Sequence, residues 1–226
     1  MNPLEIEFLG TGTSQGVPII SCDCEICQSK NPKNNRLRSS VLIKSGNSSV
    51  VIDCGPDFRQ QMLRSKCQRL NAVVLTHEHM DHIAGLDDVR PFNFKTKSDM
   101  PVYCTKRVEN RLKEQFSYAF SAEKYPGSPG FEIININSNE NFKIGDQRWT
   151  PILAQHGTWP VTGFRIQDFV YMTDISGISN LESQKILGSK VLVINALRKS
   201  KHVSHFSLDE AISYAKSTKV PEVYLT

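Results

Sequence analysis

The sequence predicts an α/β protein in which two β-sheets pack face to face with helices on their outer sides. Three observations predict it. Strand-length runs rich in Val and Ile outnumber helical patterns about two to one. They fall into two series, one before Cys104 and one after Phe131, each followed by helices. Strands and helices also fail to alternate with the regularity of a doubly wound parallel sheet.

In chain order, the first strands are expected at 6–9, 41–43, 50–52, 72–75 and 102–104, and the later ones at 131–136, 150–153, 163–166, 170–172, 191–194 and 222–225. Helical patterns lie between them at 58–69, near 83–89, and at 107–120, 181–187 and 208–217. Ser207 with Glu210 three residues on is a capping-box signature for the last helix. The stretch 121–130, with Pro126, Gly127, Pro129 and Gly130, is expected to be a surface excursion or part of a lid. The aromatic-rich stretch Phe116, Tyr118, Phe120 and Tyr125 is compatible with core packing, a pocket lining or a homodimer contact.

Composition narrows the class. A chain of 226 residues is expected to form a single domain, 1–226. With 39% hydrophobic and 22% charged residues it has material for a core and is not a disordered segment. Lys plus Arg number 27 against 23 Asp plus Glu, a net +4 without the basic bias of a dedicated nucleic-acid binder, although RNA as a substrate is not excluded. Apolar runs such as 72–75 and 191–194 fall far below the roughly 20 residues of a membrane helix, so no membrane partner is expected. The start Met1-Asn2-Pro3-Leu4-Glu5-Ile6 lacks the features of a signal peptide, which makes a cytoplasmic location the expectation.

The chemistry is concentrated in histidines. Thr76-His77-Glu78-His79-Met80-Asp81-His82 directly follows the apolar run ending at Leu75. In an extended segment, residues two apart point the same way, so His77 and His79 can grip one cation from one face. If the chain then turns into a helix, Asp81 and His82 are aimed differently and can serve a second. Imidazoles with a carboxylate suit zinc, manganese or iron. His156 and Asp174 stand at the ends of later strands, where a scaffold presents ligands.

The run from His77 to His82, with His156 and Asp174 downstream, closely resembles the metallo-β-lactamase superfamily of hydrolases. The resemblance implies a four-layer αβ/βα sandwich, two mixed sheets flanked by helices, with a two-metal site. It assigns His77, His79 and His156 to one metal, Asp81 and His82 to the other, and Asp174 as the bridge. The family pattern also has a later histidine, after a Thr that follows the last strand. The sequence stops at Val223-Tyr224-Leu225-Thr226, so the expectation is a domain lacking its C-terminal end, with the second metal one ligand short.

The segment Gly10-Thr11-Gly12-Thr13-Ser14-Gln15-Gly16-Val17-Pro18 has neither the spacing of a dinucleotide loop nor the Lys of a P-loop, and reads as a structural turn whose amides and Ser14 can approach an anion. Beyond it Cys22, Cys24 and Cys27 bring three thiols within six residues, a set suited to a tetrahedral structural zinc with a fourth ligand from elsewhere. Cys54, Cys67 and Cys104 lie in or beside apolar patterns and are expected to be ordinary buried thiols.

Together, the glycine segment, the cysteine cluster and the histidine motif resemble the cyclic phosphodiesterase branch of the superfamily, known from the carbon-phosphorus lyase pathway. That resemblance implies a small phosphate ester as partner, cyclic in the best-understood member of the branch, two divalent metal ions (Zn or Mn), a metal-bridged hydroxide as nucleophile, and one structural Zn whose fourth ligand is a later histidine. It gives Asp81 the orienting role and makes His205 a general acid, with Ser14 and His202 as candidate substrate contacts. Arg90, Arg198 and Lys201 are further phosphate-contact candidates. Two alternatives remain: a cofactor-pathway protein like the pyrroloquinoline quinone biosynthesis protein B group, which shares the cysteine cluster, and an RNA 3′-processing endonuclease.

Overall fold

The computed structural model describes residues 2–226, which divide into two compact units, Asn2–Asn135 and Ile136–Thr226. Each unit holds one mixed β-sheet with helices against it, as the sequence predicts. Among the described residues no helix is long and apolar enough to cross a membrane.

The first unit contains β1 (Glu5–Gly10), β2 (Ser40–Ser45), β3 (Ser48–Ile52), β4 (Ala72–Val74), β5 (Met100–Cys104) and β6 (Phe131–Asn135), ordered in space as in sequence. β1, β2 and β3 are antiparallel, whereas β3 to β6 run parallel. Parallel neighbours require crossovers, and these are helical: α1 (Phe58–Ser65), then α2 (Met80–Ile83) and α3 (Arg90–Thr96), then α4 (Lys106–Gln115) and α5 (Ser117–Phe120). Central strands covered on both faces read as continuous apolar runs, and Ala72, Val73 and Val74 are each fully buried. Val51, Val73 and Val102 share one core with Phe58 and Met62 of α1 and Val108 and Leu112 of α4.

The second unit contains β7 (Phe142–Ile144), β8 (Gln147–His156), β9 (Trp159–Ile166), β10 (Phe169–Met172), β11 (Gly177–Ile178), β12 (Val191–Ile194) and β13 (Glu222–Leu225), with α6 (Asn180–Ser183) and α7 (Leu208–Thr218). The sheet order is β11-β8-β9-β10-β12-β13, and β7 pairs with β8. The capping box forms: Ser207 accepts from the Glu210 amide while the Glu210 carboxylate accepts from the Ser207 amide. Ala211 and Ala215 on α7 pack with Leu192, Ile194 and Val220.

Several boundaries differ from expectation for local reasons. The helix expected over 58–69 stops at Ser65 because Lys66 turns left-handed at φ 53° and its amide closes back onto the last turn. The helix expected near 83–89 is instead α2 followed by a 3-10 turn at Leu86–Val89, and α3 follows it unforeseen. The helix expected over 107–120 is interrupted at Phe116. The stretch 121–130 is a surface excursion over most of its length. Phe116 and Phe120 join the core, whereas Tyr118 and Tyr125 are exposed.

α4 is tied to β6 through Glu109, whose carboxylate meets Lys106 at 2.8 Å, Lys113 at 2.6 Å and Asn135 at 2.8 Å. These contacts, led by Lys106, hold its carboxyl down to about 2. A depressed native pKa adds stability above the unfolded value and loses it as pH falls through the native one. Glu109→Gln is therefore expected to cost about 1 kcal/mol at pH 7 and progressively less as pH drops below 4.5 toward 2, measured by denaturant unfolding across that range.

Candidate metal centre

The first unit gathers its candidate donor residues at the ends of two parallel strands. Ile52 pairs with Val74, so the residues following β3 and β4 emerge side by side. Asp53, directly after β3, has φ 64° and is fully buried. Its carboxylate accepts from the Thr76 amide at 2.9 Å, from the Thr76 hydroxyl at 2.9 Å and from His82 Nδ1 at 2.7 Å. Burial pushes the Asp53 carboxyl above its usual value, while His82 and Thr76 pull it back. Sequence reasoning missed Asp53; its signal is a lone acid closing the apolar run Val50-Val51-Ile52.

These bonds set the histidine tautomers. The single Thr76 hydroxyl proton goes to the carboxylate, so Thr76 Oγ1 accepts from His77 Nδ1 at 2.9 Å and the His77 lone pair lies on Nε2. That Nε2 stands 3.0 Å from His79 Nδ1. Two imidazole nitrogens on one tetrahedral cation with bonds of about 2.1 Å sit about 3.4 Å apart, so the pair is close to a ligating geometry. His82 spends Nδ1 on Asp53, and its Nε2 lies 3.1 Å from Asp81 Oδ2. The chain changes from extended to helical at His79, the N-cap of α2, and this brings the His82 ring to 4.2 Å from that of His77, against 4.6 Å between His77 and His79, so the two pairs adjoin. Gly55 allows the loop to close, because a Cβ there would stand 1.9 Å from the Asp81 carbonyl oxygen.

The second unit places His156 as the last residue of β8, followed by Gly157 at φ 63°. His156 Nδ1 is 2.7 Å from the Ser204 carbonyl, which can only accept, so Nδ1 carries the proton and Nε2 the lone pair. Asp174 follows β10 at φ 54°, and the next residue, Ile175, is clamped through both amide and carbonyl by the Asn195 side chain. His205 Nδ1 lies 3.6 Å from Asp174 Oδ1, and its ring stands 4.6 Å from that of His156 and 5.1 Å from that of His202. The second unit thus brings His156, Asp174, His202 and His205 together.

The other expected residues divide. The sulfurs of Cys22, Cys24 and Cys27 all lie within 4.8 Å of one another, against about 3.8 Å for thiolates on one tetrahedral zinc. The Cys27 backbone and the neighbouring thiols hold Cys24 below the usual thiol range. Burial raises Cys54 well above that range and Cys104 to about 12, the behaviour of inert core thiols, whereas Cys67 is only half-buried. Ser14 is exposed, and its carbonyl accepts from Arg38 Nε at 2.7 Å, so Arg38 braces the glycine segment. Arg90 pairs with Asp87 at 2.6 Å, and Arg198 donates to the Lys201 carbonyl at 2.7 Å.

The description "Beta-lactamase superfamily domain" matches residues 48–226, and the chain belongs to this superfamily. A solved structure described as a new diphosphatase from the PhnP family is 35% identical, covers 99% of this chain and 87% of that one, and superposes with a TM-score of 0.91. The octanoyltransferase of Porphyromonas gingivalis is 35% identical over 220 residues, which are 96% of this chain and 44% of that protein. A ribonuclease Z of Methanopyrus kandleri is 24% identical over 169 residues, 73% of this chain and 50% of that protein. The chain spans about half the length of these curated relatives.

Because Asp53 orients His82 directly and His77 through Thr76, Asp53→Asn is expected to weaken divalent-metal affinity about 10- to 100-fold. Competition with a chromophoric chelator measures it; unchanged affinity would refute the orienting role.

Proposed function

We propose that the chain is a metal-dependent hydrolase that acts as a phosphodiesterase on a small phosphate ester, cyclic esters included. The observation that carries this is the convergence of His77 Nε2 with His79 Nδ1 and of His82 Nε2 with Asp81, while Thr76 and Asp53 engage the outer nitrogens of His77 and His82. Likeness to a diphosphatase supports phosphorus as the reacting centre.

In this proposal His77, His79 and His156 would hold one divalent cation, and Asp81 and His82 another, with Asp174 as a further ligand. The nitrogen and oxygen donors fit zinc or manganese. When bound, such cations acidify a water and neutralise charge developing on the phosphoryl oxygens. The chain's own groups do the rest. Asp81 accepts a hydrogen bond from the attacking water and aims it at phosphorus. His205, steadied by Asp174, gives its proton to the departing oxygen, a role imidazole suits because it titrates near neutral pH. His202 and Ser14 contact the phosphate. Cys22, Cys24 and Cys27 hold a structural zinc that stiffens the N-terminal loop.

Relatives named ribonuclease Z keep an RNA phosphodiester among the substrates to be assayed. Asp81→Ala is expected to lower turnover of a model diester at least about a hundredfold while leaving the unfolding transition in place. A panel of cyclic phosphate, diphosphate and 3′-extended RNA identifies the substrate. Undiminished turnover after exhaustive chelation would overturn the metal-dependent mechanism.

A further inference from the structure

The second unit carries an aromatic feature that the proposed chemistry does not use. The sequence has two tryptophans. Trp149 is 1% exposed and belongs to the interior, whereas Trp159 is 45% exposed. Trp159 opens β9 and is the cross-strand partner of His156, joined to it through the Gly157-Thr158 turn. Directly opposed residues of an antiparallel pair project to the same face with Cβ atoms about 5 Å apart, so the indole stands beside His156 on its own side of the sheet.

The neighbouring loop adds two features. Val203 is 91% exposed, and its backbone lies against the same turn, since a Cβ on Gly157 would stand 3.8 Å from the Val203 carbonyl oxygen. Arg198, Lys199 and Lys201 are exposed on that loop and favour an anionic ligand. A large indole nearly half exposed at the end of a long hairpin, on the same face as His156 and near a loop with three cations, is suited to a ligand with a flat apolar part and a negative part.

We propose that Trp159 is a specificity-determining platform on which the nucleobase of a nucleotide-type phosphate ester stacks, with its phosphate turned toward His156 and His205. Its placement next to a reacting phosphate rests on the phosphodiesterase proposal; base stacking on the indole does not. Stacking tolerates any base because each presents a π-face, so the preference is for a base as such and not for one sequence.

Trp159 supplies its own probe, because Trp149 is shielded from solvent. The full chain, with Zn²⁺ supplied, is titrated with AMP and separately with ribose 5-phosphate while indole fluorescence is followed. Saturable quenching by AMP and none by ribose 5-phosphate is expected. Trp159→Ala should weaken AMP binding, read by calorimetry, about 5- to 150-fold, and Trp159→Phe should retain part of the affinity. Turnover of a nucleoside ester relative to a base-free ribose ester should fall by a similar factor in Trp159→Ala. Equal quenching by the two ligands, or unchanged AMP affinity in Trp159→Ala, overturns the platform. Base-dependent quenching without hydrolysis of any ester keeps the platform and removes the phosphodiesterase proposal, whereas ester hydrolysis blind to the base does the reverse.

Discussion

The Asp53 carboxylate is the interaction on which the histidine loop depends. A carboxylate with no solvent exposure is costly unless hydrogen bonds replace its lost hydration, and here three donors converge on it from Thr76 and His82. Each bond also fixes something beyond itself. The Thr76 amide and hydroxyl pin the exit of β4, the hydroxyl passes the constraint to His77, and Nδ1 of His82 is committed outward so that Nε2 faces Asp81. Parallel pairing of β3 with β4 delivers acid and histidines to the same place. The Cys54 amide then bonds the His82 carbonyl at 2.7 Å and holds the first turn of α2 over the end of β3.

The second unit reaches a similar result with backbone groups. His156 spends its Nδ1 on the Ser204 carbonyl, and Asp174 is set by a left-handed turn whose next residue is gripped at both backbone atoms by Asn195. The Ile175 carbonyl also accepts from the Phe206 amide, so the strand end carrying Asp174 and the loop carrying His205 move as one piece. In both units the donors sit where strands end, and rigid sheet edges suppress the side-chain freedom that would otherwise weaken a metal site.

Much of this was legible because strand cores have a strong pattern. The runs at 191–194 and 222–225 coincide with Val191–Ile194 and Glu222–Leu225, each apolar enough to be bounded by its neighbours. β7 and β11 were invisible because three and two residues are too few for a period to show. α3 was missed because Pro91 reads as a breaker; at the first turn of a helix its missing amide costs nothing and its fixed φ is favourable. At the candidate site the donor residues were legible from their crowding between His77 and His82. Asp53 was not, because its role comes from strand pairing across more than twenty residues, and one acid after an apolar run has no spacing to announce it.

Glu78 shows why composition alone would have misassigned the motif. It lies between His77 and His79 and has the chemistry of a metal ligand, yet an extended chain sends alternate side chains to opposite faces. Its carboxylate turns away from the histidines and is bonded by the Arg107 guanidinium of α4, with only 9% of the Glu78 side chain exposed. Because both groups are charged, the bond is stronger than a neutral one and ties the extended stretch to a helix that belongs to the next crossover. The same alternation that lets His77 and His79 converge therefore puts Glu78 to work on the back of the loop. Beyond His79 the period changes to that of a helix, and the adjacent Asp81 and His82 then present a different pair of donors. The change of period within six residues folds the motif back on itself, so that the His82 ring stands 4.2 Å from that of His77.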